Sequence, residues 1–69
     1  MIVNVTKRLP AHLVLRNRLL RQTRDEKDPY RRMARAVLAG DKIMASKPEQ
    51  GPEIERALFH VAVMLAKEM

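Results

Sequence analysis

The sequence predicts an all-α protein in which three short helices follow a short extended N-terminal segment and form a homodimer. Three observations predict this fold. Apolar residues recur at helical spacing through most of the chain, Pro and Gly divide it into segments of helical length, and aromatic residues make up only 3% of the composition. With 69 residues, the chain has room for a single domain, spanning residues 1–69, with an aliphatic core.

The N-terminal segment has the composition of a short strand. Residues 2–6 are rich in β-branched side chains, and Val3, Val5 and Leu9 would fall on one side of an extended chain. Because one strand is unstable alone, the segment would pair with its copy in a dimer, lie against the helices or form an ordered arm.

The first helix is predicted over residues 11–24. Pro10 suits a first helical position, and no helix breaker follows until the charged turn after Arg24. Leu15 and Leu19 share one face while other leucines lie on a second, so this helix should touch neighbours on two sides.

The second helix has the clearest start signal, because Asp28 can act as N-cap and Pro29 fits the first helical position. We expect it to run to about Ala45 with Gly40 inside it, the alternative being a C-cap at Gly40. One arc of this helix carries the apolar residues Tyr30, Met33, Ala34, Val37 and Met44, and the opposite side carries Arg31, Arg35 and Lys42.

The third helix is predicted over residues 52–67, after a loop rich in Pro and Gly. It carries two apolar stripes, the first formed by Ile54, Leu58, Val61 and Leu65 and the second by Phe59, Val63 and Ala66. Because two other short helices can hardly cover both stripes, we expect a symmetric dimer. The predicted dimer-interface residues are Ile54, Leu58, Phe59, Val61, Val63 and Leu65.

Charge and composition limit the function classes. The formal net charge of +6 favours nucleic acid, an anionic membrane or an acidic protein as partner. The chain has no Cys, two His and no nucleophile–base pairing, so we expect no enzyme activity, no metal site, no cofactor and no small-molecule substrate. No segment is apolar enough to span a membrane, and we expect a cytoplasmic protein.

Candidate partner-binding residues follow from the basic stripe of the second helix. Cations held on a rigid face can match phosphates or a row of carboxylates, and Tyr has the character of an interface anchor. The candidates are Arg24, Tyr30, Arg31, Arg35 and Lys42. The alternatives are a solvated helix face for the cations and a half-buried core position for Tyr30.

The run Val-Thr-Lys-Arg-Leu-Pro-Ala-His-Leu at residues 5–13 resembles the ribbon-helix-helix repressors, in which paired strands of a dimer enter the DNA major groove. That resemblance covers roughly residues 3–38 and implies base-reading roles for Asn4, Thr6 and Arg8. Lys7 and Asn17 depart from the family pattern, and the glycine usual between the two helices is missing.

The chain also resembles small phage-encoded inhibitors of host regulators, among them the quorum-sensing anti-activators of Mu-like Pseudomonas phages. The resemblance rests on its length, its Arg/Ala/Leu/Met-rich composition and the predicted helical dimer without catalytic residues. The resemblance implies a homodimer in the bacterial cytoplasm that binds the DNA-binding domain of a LuxR-type activator and can engage a type IV pilus assembly ATPase. It assigns no functional residue.

Overall fold

The computed structural model describes residues 9–69. Three α-helices cover most of them: α1 is Ala11–Gln22, α2 is Pro29–Ser46 and α3 is Gly51–Ala66, with a short 3₁₀ turn at Pro48–Gln50 between α2 and α3. The described residues contain no strand, which confirms the all-α prediction for this part of the chain. The predicted extended segment falls largely on residues 1–8, outside the described residues.

The buried side chain of Thr23 lies at the C-terminal end of α1. Its Oγ1 donates to the carbonyl of Leu19 at 2.8 Å, and its backbone N–H donates to the same oxygen at 3.2 Å. Thr23 is the C-cap, so α1 ends at Gln22, slightly before the predicted boundary.

The predicted start of α2 is confirmed. Asp28 is its N-cap, and the carboxylate Oδ1 accepts a hydrogen bond from the N–H of Tyr30 at 2.9 Å. Pro29 occupies the first turn, where its missing N–H costs nothing. The helix also continues through Gly40, as expected.

The face that α2 turns to the core differs from the predicted arc. Its buried residues are Ala36, Gly40 and Ile43, whereas Tyr30 is 71% exposed and Val37 is 39% exposed. The physical reason is close approach: a Cβ added to Gly40 would lie 3.2 Å from Ile54 Cγ2 of α3. Small residues allow the backbones of α2 and α3 to pack closely. Because alanine and glycine contribute little to a hydrophobicity pattern, the sequence pattern did not identify this face as the buried one.

The core is aliphatic, as predicted, and α3 supplies half of it, packing against both other helices. Its buried members are Leu15, Leu19, Ala36, Ile43, Ile54, Ala57, Val61 and Leu65. Both aromatic side chains of the sequence lie outside this core, with Phe59 66% exposed. The first stripe of α3 is thus covered within the chain, and the second faces outward.

Candidate functional site

A groove of about 570 Å³ lies between the second half of α1 and α2, and we call it the cationic groove. Its lining residues are Arg18, Gln22, Thr23, Arg35, Leu38, Ala39, Lys42, Ile43, Ser46 and Lys47. Four of these side chains are cations and, within residues 9–69, no acidic side chain lines the groove. Such a surface attracts anionic groups.

The cationic groove also has an apolar component. Thr23 and Ile43 are buried at its base, and Ala39 is half-buried. Leu38, a large apolar side chain of α2, is 61% exposed in the groove and does not face the core. A partner that covered Leu38 would gain hydrophobic free energy in addition to charge attraction.

Arg35 is held in place at one end of the groove. Its Nη1 donates to Asp25 Oδ2 at 3.3 Å and lies 3.8 Å from Glu26 Oε1, both in the connection between α1 and α2. Because Asp25 is largely exposed, this pairing adds little stability. It does orient the guanidinium, which keeps further donors for a ligand.

Arg32 has a structural role that the sequence analysis missed. Its Nε donates to Thr23 Oγ1 at 3.1 Å, and its Nη2 donates to the carbonyl of Leu20 at 2.8 Å. The side chain therefore ties α2 to the C-terminal end of α1 and fixes one wall of the cationic groove. No spacing rule could identify this contact, because it joins residues on two helices.

A second cleft of about 360 Å³ continues the cationic groove along α1. Its lining residues are Ala11, Val14, Leu15, Arg18, Lys47, Gln50 and Glu53. Arg18 and Lys47 line both cavities, so the two clefts adjoin along α1, and the second also includes the carboxylate of Glu53. Val14 is 53% exposed there and gives this end an apolar surface.

The structure separates the predicted partner-binding residues. Arg35 and Lys42 line the cationic groove. Arg31 is exposed one helical turn before Arg35, Arg24 is exposed between α1 and α2, and Tyr30 is exposed at the start of α2. Arg18, Leu38 and Lys47 are not among the predicted residues, although the helical pattern alone places Leu38 next to the basic stripe.

The predicted dimer-interface residues divide into two groups. Ile54, Val61 and Leu65 are at most 3% exposed and lie in the core of the single chain, so its own helices already cover them. Leu58 is half-buried beside Gly40. Phe59 and Val63 are 66% and 42% exposed and remain available to a second copy.

The two histidines lie together, which the sequence did not predict. Their rings stack with centroids 5.3 Å apart across the contact of α1 with α3, and His12 Nδ1 lies 3.7 Å from Glu53 Oε1. That separation is too long for a hydrogen bond. Across residues 9–69, no three His, Cys, Asp or Glu side chains come together in a way that could hold a metal ion.

Asn4, Thr6 and Arg8, the residues that the ribbon-helix-helix resemblance assigns to DNA, lie outside the described residues. None of the helices in the described part of the chain combines the length and the apolar character needed to cross a membrane. Comparison of the chain with models of protein families, with curated proteins and with solved structures finds no match.

Proposed function

We propose that this chain is a small non-enzymatic regulatory protein that acts as a homodimer and inhibits a partner protein by binding it in the cationic groove. One observation supports the proposal most: Arg18, Lys42 and two further cations line the same groove as an exposed leucine, with no acidic residue in that lining among residues 9–69. Apolar contact supplies affinity, and complementary charge supplies specificity and a faster association rate.

The shape of the groove favours protein over duplex DNA. Proteins read duplex DNA by inserting a convex element, such as a helix or a strand pair, into the major groove. Here the cations line a concave surface between two helices, which fits a narrow convex ligand. A single α-helix, about 10 Å across, is such a ligand.

The combined length of the two adjoining clefts suggests the kind of segment that binds. Cavity-lining residues of α1 extend from Ala11 to Gln22, which corresponds to about 17 Å at 1.5 Å per residue. About three turns of a partner helix span that distance. Helices that bind in grooves present apolar anchors on one face, and the cations here require acidic residues beside those anchors. The proposed ligand is an acidic amphipathic helix.

The resemblance to phage-encoded anti-activators supplies a target class: the DNA-binding domain of a LuxR-type activator, with a pilus assembly ATPase as a further target. Charge complementarity then predicts where such a target is bound. A basic, DNA-contacting surface would be repelled by the cationic groove, so the contact should be an acidic helix of that domain.

The test is retention of a partner from nuclease-treated bacterial lysate by tagged protein and three charge-reversal variants. Lys42→Glu and Arg18→Glu alter opposite walls of the groove. Lys27→Glu makes the same change in charge at an exposed site outside it. We expect the wild-type protein and Lys27→Glu to retain one discrete protein that the two groove variants lose. A purified LuxR-type DNA-binding domain, tested with the same variants, checks the target class.

Two results would contradict the proposal. If both groove variants retained the partner as well as wild type does, the cationic groove would not be its binding site. If the wild-type protein retained only nucleic acid, with affinity falling steeply as salt rises, the ribbon-helix-helix alternative would replace the proposal. Asn4, Thr6 and Arg8 would then be the residues to substitute.

A further inference from the structure

The outward face of α3, continued by its C-cap residue Lys67, carries a row of four exposed residues with a charge at each end. The row is Glu55, Phe59, Val63 and Lys67, which we call the α3 ridge; Phe59 is 66% exposed and Val63 is 42% exposed. Residues four apart form one of the ridges by which helices pack, turning about 40° per step. Phe59 and Val63 belong to the second apolar stripe of α3, and Glu55 and Lys67 add an acidic start and a basic end to the row.

The α3 ridge is complementary to itself when reversed. If two copies meet in antiparallel orientation about a two-fold axis, Phe59 of each lies opposite Val63 of the other. In the same register Glu55 lies opposite Lys67, and the symmetry makes each of these contacts twice. A parallel arrangement would instead place like charges together. Within residues 9–69 the ion pairs involve other residues, so both charged groups are open to a partner.

Small residues lie beside the ridge. Ala62 and Ala66 continue the neighbouring row of α3, which begins at the half-buried Leu58. Because alanine side chains end at Cβ, we expect this row to leave room for Phe59 of a second copy, as a ridge packs into a groove.

We propose that two copies of this chain associate through their α3 ridges in antiparallel orientation. This inference rests on the homodimer of the proposed function and gives it a geometry. The cationic groove has no α3 residue in its lining, whereas Glu53 of α3 lines the second cleft. The proposed contact uses none of the residues that line the cationic groove, so each copy in the dimer keeps that groove.

A charge-swap series measured by analytical ultracentrifugation tests the register. Glu55→Lys and Lys67→Glu each replace two attractive pairs by two repulsive ones, and we expect each to weaken the dimer roughly tenfold. The double variant Glu55→Lys/Lys67→Glu restores opposite charges and should return the dissociation constant to near the wild-type value. Lys27→Glu is the matched control and should leave it unchanged.

A second variant tests the apolar part of the interface. Phe59→Asp places charges in the proposed contact, and because Phe59 is exposed in the single chain, the helices should remain folded by circular dichroism. We expect the Phe59→Asp variant to sediment with a mass near that of the 8.0 kDa chain, and the wild-type protein to sediment with the mass of a dimer.

Two outcomes would overturn the inference: a wild-type protein that stays monomeric at high micromolar concentration, or a double variant that dimerises as weakly as the single ones. Failure of the groove proposal is distinguishable from either. The Phe59→Asp monomer keeps the cationic groove, so its binding to the captured partner measures that site without the dimer.

Discussion

At Gly40 the missing side chain leaves room for two branched side chains of α3. An added Cβ would lie 3.2 Å from Ile54 Cγ2 and 3.3 Å from Leu58 Cδ1, closer than ordinary van der Waals contact. Ile54 is only 2% exposed and has little space to move. A glycine therefore occupies the middle of a long helix, where it costs about 1 kcal/mol of helix propensity relative to alanine.

Replacing Gly40 by Val should destabilise the protein by about 2–3 kcal/mol, because its γ-methyl groups would overpack the contact with α3. The measurement is the free energy of unfolding from a urea titration followed by circular dichroism. Ala45→Val, at an exposed position of the same helix, should cost less than about 1 kcal/mol. Equal effects of the two substitutions would show that α2 does not approach α3 closely at Gly40.

Thr23→Val should also destabilise the protein, by about 1–2 kcal/mol. The substitution removes the hydroxyl that donates to the Leu19 carbonyl and accepts from Arg32 Nε, while it keeps the side-chain volume. Thr23→Ser retains the hydroxyl and should cost less in the same urea titration. A more stable Val variant would mean that Arg32 does not depend on this oxygen.

At the scale of elements, the helix boundaries follow from local chemistry and are predictable. Asp28 and Pro29 mark the start of α2 in the sequence, and the structure places them in those roles. The buried face of α2 was not predictable in the same way. Its direction depends on Ala36 and Gly40 packing against α3, a contact between distant parts of the chain that a hydrophobicity pattern does not contain.

Asp28→Ala should cost about 1 kcal/mol, because it removes the acceptor for the N–H of Tyr30. The loss should appear as a lower midpoint in thermal unfolding. Asp28→Ser, which keeps an N-cap oxygen, should stay close to wild type. A Ser variant as unstable as the Ala variant would contradict the capping role.

At the scale of the whole molecule, one face of α3 closes the core and the opposite face carries the α3 ridge. The sequence showed both apolar stripes of this helix but not which of them the chain covers itself. That division depends on where α1 and α2 pack. The cationic groove was predictable only in part for the same reason: its α2 cations form a visible stripe, whereas Arg18 joins them through the packing of α1.

Val61→Asp should therefore unfold the protein and Phe59→Asp should not, although the two positions lie two residues apart. Val61 is fully buried, and the free-energy cost of burying an unpaired carboxylate there should exceed the roughly 3–5 kcal/mol of stability that a core of this size supplies. We expect circular dichroism to show loss of helix for Val61→Asp and retention for Phe59→Asp. Retention of helix in both would contradict the assignment of the two faces.

The claim that a partner protein is held in the cationic groove is tested most directly by site-specific photo-cross-linking. A photoreactive amino acid at position 38, where Leu38 is exposed in the groove, is compared with the same amino acid at position 27, outside it. We expect a covalent adduct with one discrete protein from position 38 only, and its loss when Lys42→Glu is added. An adduct with nucleic acid alone, or a protein adduct that forms equally from position 27, would contradict binding of a partner protein in the cationic groove.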